Sequence, residues 1–212
     1  MNRRLVLWRH GRTAWNELGR VQGGTDIALD DVGRRQAREA AARLASLGPC
    51  SIVSSDLSRA AETAAALGSL CGLDVRLDPR LREMSFGIRE GLTHQEAFDR
   101  HPEEMAAFAE DPSLILPGAE SYEQVGERVA AAIDEAEATV PPEGTGVVVA
   151  HGAALRVGIC HWLGFPQALW PRFSGFSNCS WAVLEERRRG WCIAEWNAGS
   201  LPEPVLSDEE RE

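Results

Sequence analysis

The sequence predicts an α/β fold: a mostly parallel sheet flanked by helices on both faces. Short apolar runs alternate with helical patterns along the chain, the rhythm of strand–helix–strand units. Three segments, VLW-RHG, IVSS-DLSRA and VVVA-HG, share one layout of apolar strand, polar loop and helix. A length of 212 residues with 44 % apolar content suits one large domain that buries a real core.

Leu5–Trp8 is short and wholly apolar, as a buried parallel strand should be. Residues 11–29 are rich in Gly, Thr, Asn and Asp and read as a loop. The helix in DDVGRRQAREAAARLASLG has Asp30 as its N-cap. Ala37, Ala40, Ala41, Leu44 and Leu47 give it an apolar stripe, and Gly48-Pro49 ends it. Ser51–Val53 reads as the second strand, followed by an alanine-rich helix that stops near Gly72, and Val75–Leu77 as a third strand. Residues 84–118 mix Met, Phe, His, Pro and acidic side chains with weak periodicity, and are expected to form a lid or substrate insertion of short helices and loops.

SYEQVGERVAAAIDEAEATV predicts a helix opened by a Ser121/Gln124 capping box. GTGVVVA is the clearest strand; its G-x-G precedes the strand, so it is no dinucleotide fingerprint. Ala153–Leu163 continues as a helix. Trp181–Leu184 and Trp191–Trp196 read as paired strands joined by the charged turn EERRRG. One domain is therefore expected over 1–199, with 200–212 a loose Pro- and Glu-rich tail.

Composition narrows the function. The formal charge of −10 disfavours nucleic-acid binding, and no apolar stretch approaches a membrane span of roughly 18 residues. No signal peptide is evident at the start, so a cytoplasmic protein is expected. All 22 basic residues are arginine. Without lysine there is no Walker-A lysine, Schiff base or pyridoxal-phosphate anchor. The five cysteines are scattered and never spaced C-x-x-C, which argues against a zinc site or a disulfide framework.

Ligands of open parallel sheets bind outside the carboxyl ends of the strands. Arg9, His10, Arg59 and His151 should meet there. Gly11 is expected to let the backbone approach the ligand closely. Two fixed cations beside two imidazoles oppose a metal ion but suit a dianion such as a phosphoryl group. A neutral histidine can attack phosphorus. Glu83, at the mouth of the insertion, is the candidate acid for the leaving group. Each residue alone has a plainer structural reading; their agreement on one chemistry favours the functional one. His94, His101 and His161 lack that context and are expected to be structural or surface residues.

Together these residues resemble the histidine phosphatase superfamily, the phosphoglycerate-mutase-like group (branch 1). The resemblance is carried by RHGRTAWN at 9–16, GRVQG at 19–23, SSDLSRAAETA at 54–64, LREMSFGIREG at 81–91, AES at 119–121 and AHG at 150–152. It implies a metal-independent phosphomonoester hydrolase acting on a small phosphorylated metabolite. His10 would be the phosphorylated nucleophile, and Arg9, Arg59 and His151 the rest of the phosphate pocket. Glu83 would be the proton donor. Asn16 and Gln22 would contact phosphoryl oxygens or substrate, and the backbone around Gly152 and Ala153 would donate further hydrogen bonds. No metal or organic cofactor is implied.

Two departures, Arg89 in GIREG where the family often has an aromatic residue and Ala119 in GAES where it often has glycine, bear on substrate identity. The mutases of the family resemble a longer chain with a tyrosine-bearing E-R-H-Y-G stretch at the Glu83 position. EMSFG stands here, which favours a phosphatase over a mutase. LRE, GLTH and SNCSW resemble the branch of broad-specificity phosphatases and glucosyl-3-phosphoglycerate phosphatase; α-ribazole phosphatase is another relative. The alternatives are a cofactor-dependent phosphoglycerate mutase and a non-catalytic regulatory relative. Phe86, Arg89, His94, Phe98 and Arg100 are candidates for the leaving-group side, and the Trp-rich C-terminal strand pair offers an edge for a homodimer.

Overall fold

The computed structural model describes residues 2–199; the expected tail at 200–212 lies outside them. Six strands form one sheet: β1 (Arg4–Arg9), β2 (Ser51–Ser54), β3 (Val75–Leu77), β4 (Thr145–Ala150), β5 (Trp181–Arg187) and β6 (Gly190–Ala198), in the order β3-β2-β4-β1-β5-β6. The first four are mutually parallel. β5 and β6 run antiparallel at one side. The mixed α/β sheet agrees with the fold class read from the sequence.

Alternation along the buried strands divides the core. Leu5 and Leu7 of β1 and Val148 and Ala150 of β4 face one layer, built on α6 (Tyr122–Ala138) and α7 (Gly152–Trp162). Val6, Trp8, Val147 and Val149 face the other, built on α2 (Asp31–Ala45) and α3 (Ser58–Cys71). Each large side chain so buried contributes roughly 1.5–3 kcal/mol, which fixes the strand register against a one-residue slip.

Close backbone approach explains several glycines. Gly158 of α7 lies where a Cβ would overlap Val129 of α6. A Cβ on Gly11 would sit 2.5 Å from the Gly33 carbonyl oxygen of α2. Gly11 therefore serves the packing of the first loop against α2.

Three elements differ from the sequence reading. A short helix, α1 (Ala14–Leu18), stands inside the expected loop, nucleated by a Thr13/Asn16 capping box. A 3-10 segment occupies Gln167–Arg172. The charged turn shrinks to Arg188-Arg189, because EER extends β5 at the rim of the sheet, where charged side chains face water. Residues 84–118 fold into short pieces, among them α4 (His94–Arg100) and α5 (Pro102–Glu110), around a small core of Leu92, Ala97, Met105 and Leu116.

Candidate active site

The register of the parallel strands assembles the site. Arg9 is level with Ala150, and Ser54 with Val149, so His10, His151 and Ser55 leave the sheet side by side. The two imidazoles lie 5.1 Å apart between ring centroids. Arg9, His10, Arg59 and His151 are all buried, with 2 % exposure or less. The structure thus brings together the four residues that the sequence places at the strand ends.

Hydrogen bonds set the tautomer of each ring. His10 Nδ1 is 2.7 Å from the Gly11 carbonyl oxygen, which can only accept. The neutral ring therefore carries its proton on Nδ1 and leaves Nε2 as a lone pair. His151 Nδ1 is 3.2 Å from Arg59 Nε, which can only donate. Its proton lies on Nε2, which is 2.9 Å from Ser55 Oγ. Burial, then the charge of Arg59, pushes both histidines well below the ordinary imidazole range. Both rings are neutral at neutral pH.

The arginines are fixed by backbone oxygens. Arg59, at the start of α3, donates to the Gly23 and Thr25 carbonyls at 2.9 and 2.7 Å. Arg9 Nη1 donates to the Phe176 carbonyl. Its buried Nε has no hydrogen-bond partner, a donor placed for an anion. Gly152 lies against this guanidinium: a Cβ there would sit 3.5 Å from Arg9 Cζ.

Glu83, 7 % exposed, reaches the same place from the insertion. Its Oε1 accepts from Met84 N at 2.9 Å and Ala154 N at 2.8 Å, and its Oε2 from Ala153 N at 3.3 Å. The side chain caps α7, whose N-cap residue His151 makes no side-chain cap. Ala153, expected to donate to substrate, here donates to Glu83. Asn16 and Gln22 are buried beside the loop that follows His10: Asn16 Oδ1 accepts from Thr13 N at 3.1 Å, and the Thr13 hydroxyl lies 3.0 Å from Gln22 Oε1.

Several residues that support the site escaped the sequence reading. Ser55 Oγ accepts a hydrogen bond from His151 Nε2–H, and serine after a strand gives no distinctive signal. Asn178 Nδ2 lies 3.3 Å from both the His10 carbonyl oxygen and Asn16 Oδ1; it stands within SNCSW, which the resemblance had flagged. Glu90 joins lid to loop: it accepts from Phe86 N at 3.0 Å, lies 3.1 Å from Ser85 Oγ and 3.3 Å from Thr25 Oγ1. Arg128 of α6 and Glu120 brace the segment that carries Glu83.

The lid residues singled out for substrate mainly pack the lid. The Arg89 guanidinium lies 5.2 Å from the Phe108 ring and 6.0 Å from the Phe86 ring. His94 stacks edge-on to Phe98, which packs on the lid core, and Arg100 is exposed. His161 packs against Trp170, a structural role as expected. Burial raises the thiols of Cys160 to about 11 and Cys179 to about 12, so both are inert at neutral pH. Among the described residues no group of three or more His, Cys, Asp or Glu side chains is arranged to hold a metal ion.

Residues 5–199 match the family model of the histidine phosphatase superfamily (branch 1). The chain is 38 % identical to the glucosyl-3-phosphoglycerate phosphatase of Mycobacterium tuberculosis over 93 % of this chain and 96 % of that protein. It is 34 % identical to a probable phosphoglycerate mutase, GpmB, of Cronobacter sakazakii, over 98 % and 99 %. A structure of the mycobacterial glucosyl-3-phosphoglycerate phosphatase complexed with VO3 superposes with a TM-score of 0.84 at 39 % identity, covering 93 % of this chain and all of that one. With its fold, its paired histidines and a family match spanning nearly every described residue, this chain belongs to the histidine phosphatase superfamily, branch 1.

Proposed function

We propose that this phosphomonoester hydrolase transfers the phosphoryl group of a small phosphorylated metabolite to His10 Nε2 and then to water. The observation that carries this reading is the tautomer of His10: Nδ1 is committed to the Gly11 carbonyl, so the nitrogen left for attack is Nε2.

Arg9 and Arg59 would bind the nonbridging phosphoryl oxygens, and the N-terminus of α7 at Gly152 adds its dipole. Nε2 attacks phosphorus in line, the bond from phosphorus to the ester oxygen breaks, and Glu83 delivers a proton to the departing oxygen. The phosphorylated ring keeps its Nδ1 proton, which the Gly11 carbonyl stabilises. Water then attacks the phosphohistidine, Glu83 takes its proton, and the phosphorus–nitrogen bond breaks to release phosphate. The His151 Nε2–H, which donates to Ser55 Oγ in the free site, would turn from that hydroxyl to the charge developing on the phosphoryl oxygens. Asn16 and Gln22 orient phosphoryl or substrate oxygens.

The relative that takes VO3 supports the reading, because an oxovanadium group is a close analogue of a phosphoryl group in flight. Its name suggests the substrate class: a sugar-substituted phosphoglycerate, an anion with a carboxylate beside the phosphate. The mutase-named relatives sustain a second reading, isomerisation of a phosphoglycerate. Phosphate release from a panel of phosphomonoesters without added metal, run beside a mutase assay with 3-phosphoglycerate and a bisphosphoglycerate primer, separates the two. Net phosphate release supports the hydrolase. Isomerisation without release would establish the mutase. Silence in both would point to a regulatory relative.

The cellular setting belongs to the same proposal. Among the described residues no helix is long and apolar enough to cross a membrane, and the cytoplasm is the proposed location. A homodimer through the open edge of β6 is proposed from its place in the sheet; light scattering would decide it. Trp191 and Trp196, however, turn inward onto Trp162 and Phe176. The charge of −10 disfavours a nucleic-acid partner.

A further inference from the structure

Glu83 sits in a stretch with almost no regular secondary structure, yet its carboxyl group must be placed to a fraction of an ångström to protonate a leaving oxygen. The carboxylate itself accepts from the Met84, Ala153 and Ala154 N–H groups. The backbone that carries it is held from α6. Arg128 Nη1 donates to the carbonyls of Arg80 and Arg82 at 2.8 and 2.7 Å, and Nη2 donates to the Glu83 carbonyl at 3.1 Å. The same guanidinium grips Glu120 by a two-pronged fork, Nε to Oε1 and Nη2 to Oε2, both 2.8 Å. Glu120 in turn accepts from Ser85 N at 2.9 Å, and its own N–H donates to the Ser85 carbonyl at 3.0 Å. One arginine and one carboxylate thus grip the backbone on both sides of Glu83.

We infer that Arg128 and Glu120 form a positioning pair for Glu83, setting proton delivery to the leaving group without touching the phosphoryl group. The inference rests on the proposed acid role of Glu83. Arg128 is suited to it by geometry rather than charge: its five contacts use the planar fork, which lysine does not have. Glu120 stays ionised for its part. Burial would raise its carboxyl, but the Arg128 fork and the Ser85 N–H outweigh this and hold it below the usual range.

The test compares two substrates by kcat/KM, which reports steps up to phosphoryl transfer. Glycerol phosphate needs a proton on its leaving oxygen; p-nitrophenyl phosphate departs as a stable anion and does not. Glu83→Gln should lower kcat/KM for glycerol phosphate by about 10²–10⁴-fold and for p-nitrophenyl phosphate by much less. Arg128→Lys and Glu120→Gln, each confirmed folded by circular dichroism, should show the same selectivity in smaller measure, about 10–100-fold on glycerol phosphate. Equal losses on both substrates in both variants would mean a merely structural ion pair and overturn the inference. If Glu83→Gln itself shows no selectivity, the acid role of Glu83 fails and the inference with it. Two independent variants guard against a fold defect in one.

Discussion

At the scale of single residues, the site depends on keeping two histidines neutral among cations. Unfolded, each imidazole takes up a proton near pH 6.5. Folded, burial first and then Arg59 oppose the charge. Below about pH 6.5 the unfolded chain binds protons that the folded chain does not. The stabilising contribution is therefore fully present above that pH and is lost as pH falls, at up to about 1.4 kcal/mol per pH unit for each histidine. Urea denaturation at a series of pH values should show this decline, and His10→Ala should remove its share of the slope. For the same reason the acid limb of kcat/KM should lie below the ordinary histidine value. A limb at or above pH 6.5 would contradict the assigned charge states. These roles were partly legible in the sequence: RHG and AHG each follow an apolar strand, so strand-end placement follows from the pattern. The tautomer of His151 was not, because it depends on Arg59 and Ser55, which reach it across 92 and 96 residues.

At the scale of elements, the insertion and the first loop are coupled through Glu90. It contacts Ser85 and Phe86 on one side and Gly24 and Thr25 on the other. Gly23 and Thr25 supply the carbonyls that hold Arg59. Glu90→Ala should therefore loosen the phosphate pocket, raising KM several-fold and weakening inhibition by inorganic phosphate. An unchanged KM would confine Glu90 to lid stability. Helix packing offers a separate test: Gly158→Ala drives a methyl group into Val129 and should cost about 1–3 kcal/mol, visible as a lower melting temperature. Strands, long helices and their caps at Asp30 and Ser121 were readable, because periodicity and capping are local. The five-residue helix α1 was too short to show a period. The extension of β5 into EER depended on pairing with β6, which charge alone obscures.

At the scale of the whole molecule, an acidic chain carries a buried basic site. The net charge is −10, yet Arg9 and Arg59 meet at the carboxyl edge of β1 and β4 beside two neutral rings. Local charge, not total charge, selects the dianion. Because two buried guanidiniums beside the histidines would repel a metal ion, turnover should persist in the presence of EDTA; loss of activity on chelation, restored by a divalent cation, would require a different phosphate-binding scheme. The parallel sheet with its strand-end crevice was legible from the order of the segments. Arg128 reaches the Glu83 segment only through tertiary contact, so pattern alone passes over it, whereas Glu120 and Asn178 lie in AES and SNCSW, which marked their segments but not their partners.

Covalent transfer of the phosphoryl group to His10 can be read by rapid acid-free quenching during turnover. Wild-type protein mixed with 32P-labelled substrate should carry acid-labile, alkali-stable label on His10, and His10→Ala should carry none. Label persisting in His10→Ala, or turnover by the wild type with phosphate reaching water and no phosphoenzyme formed, would contradict the account.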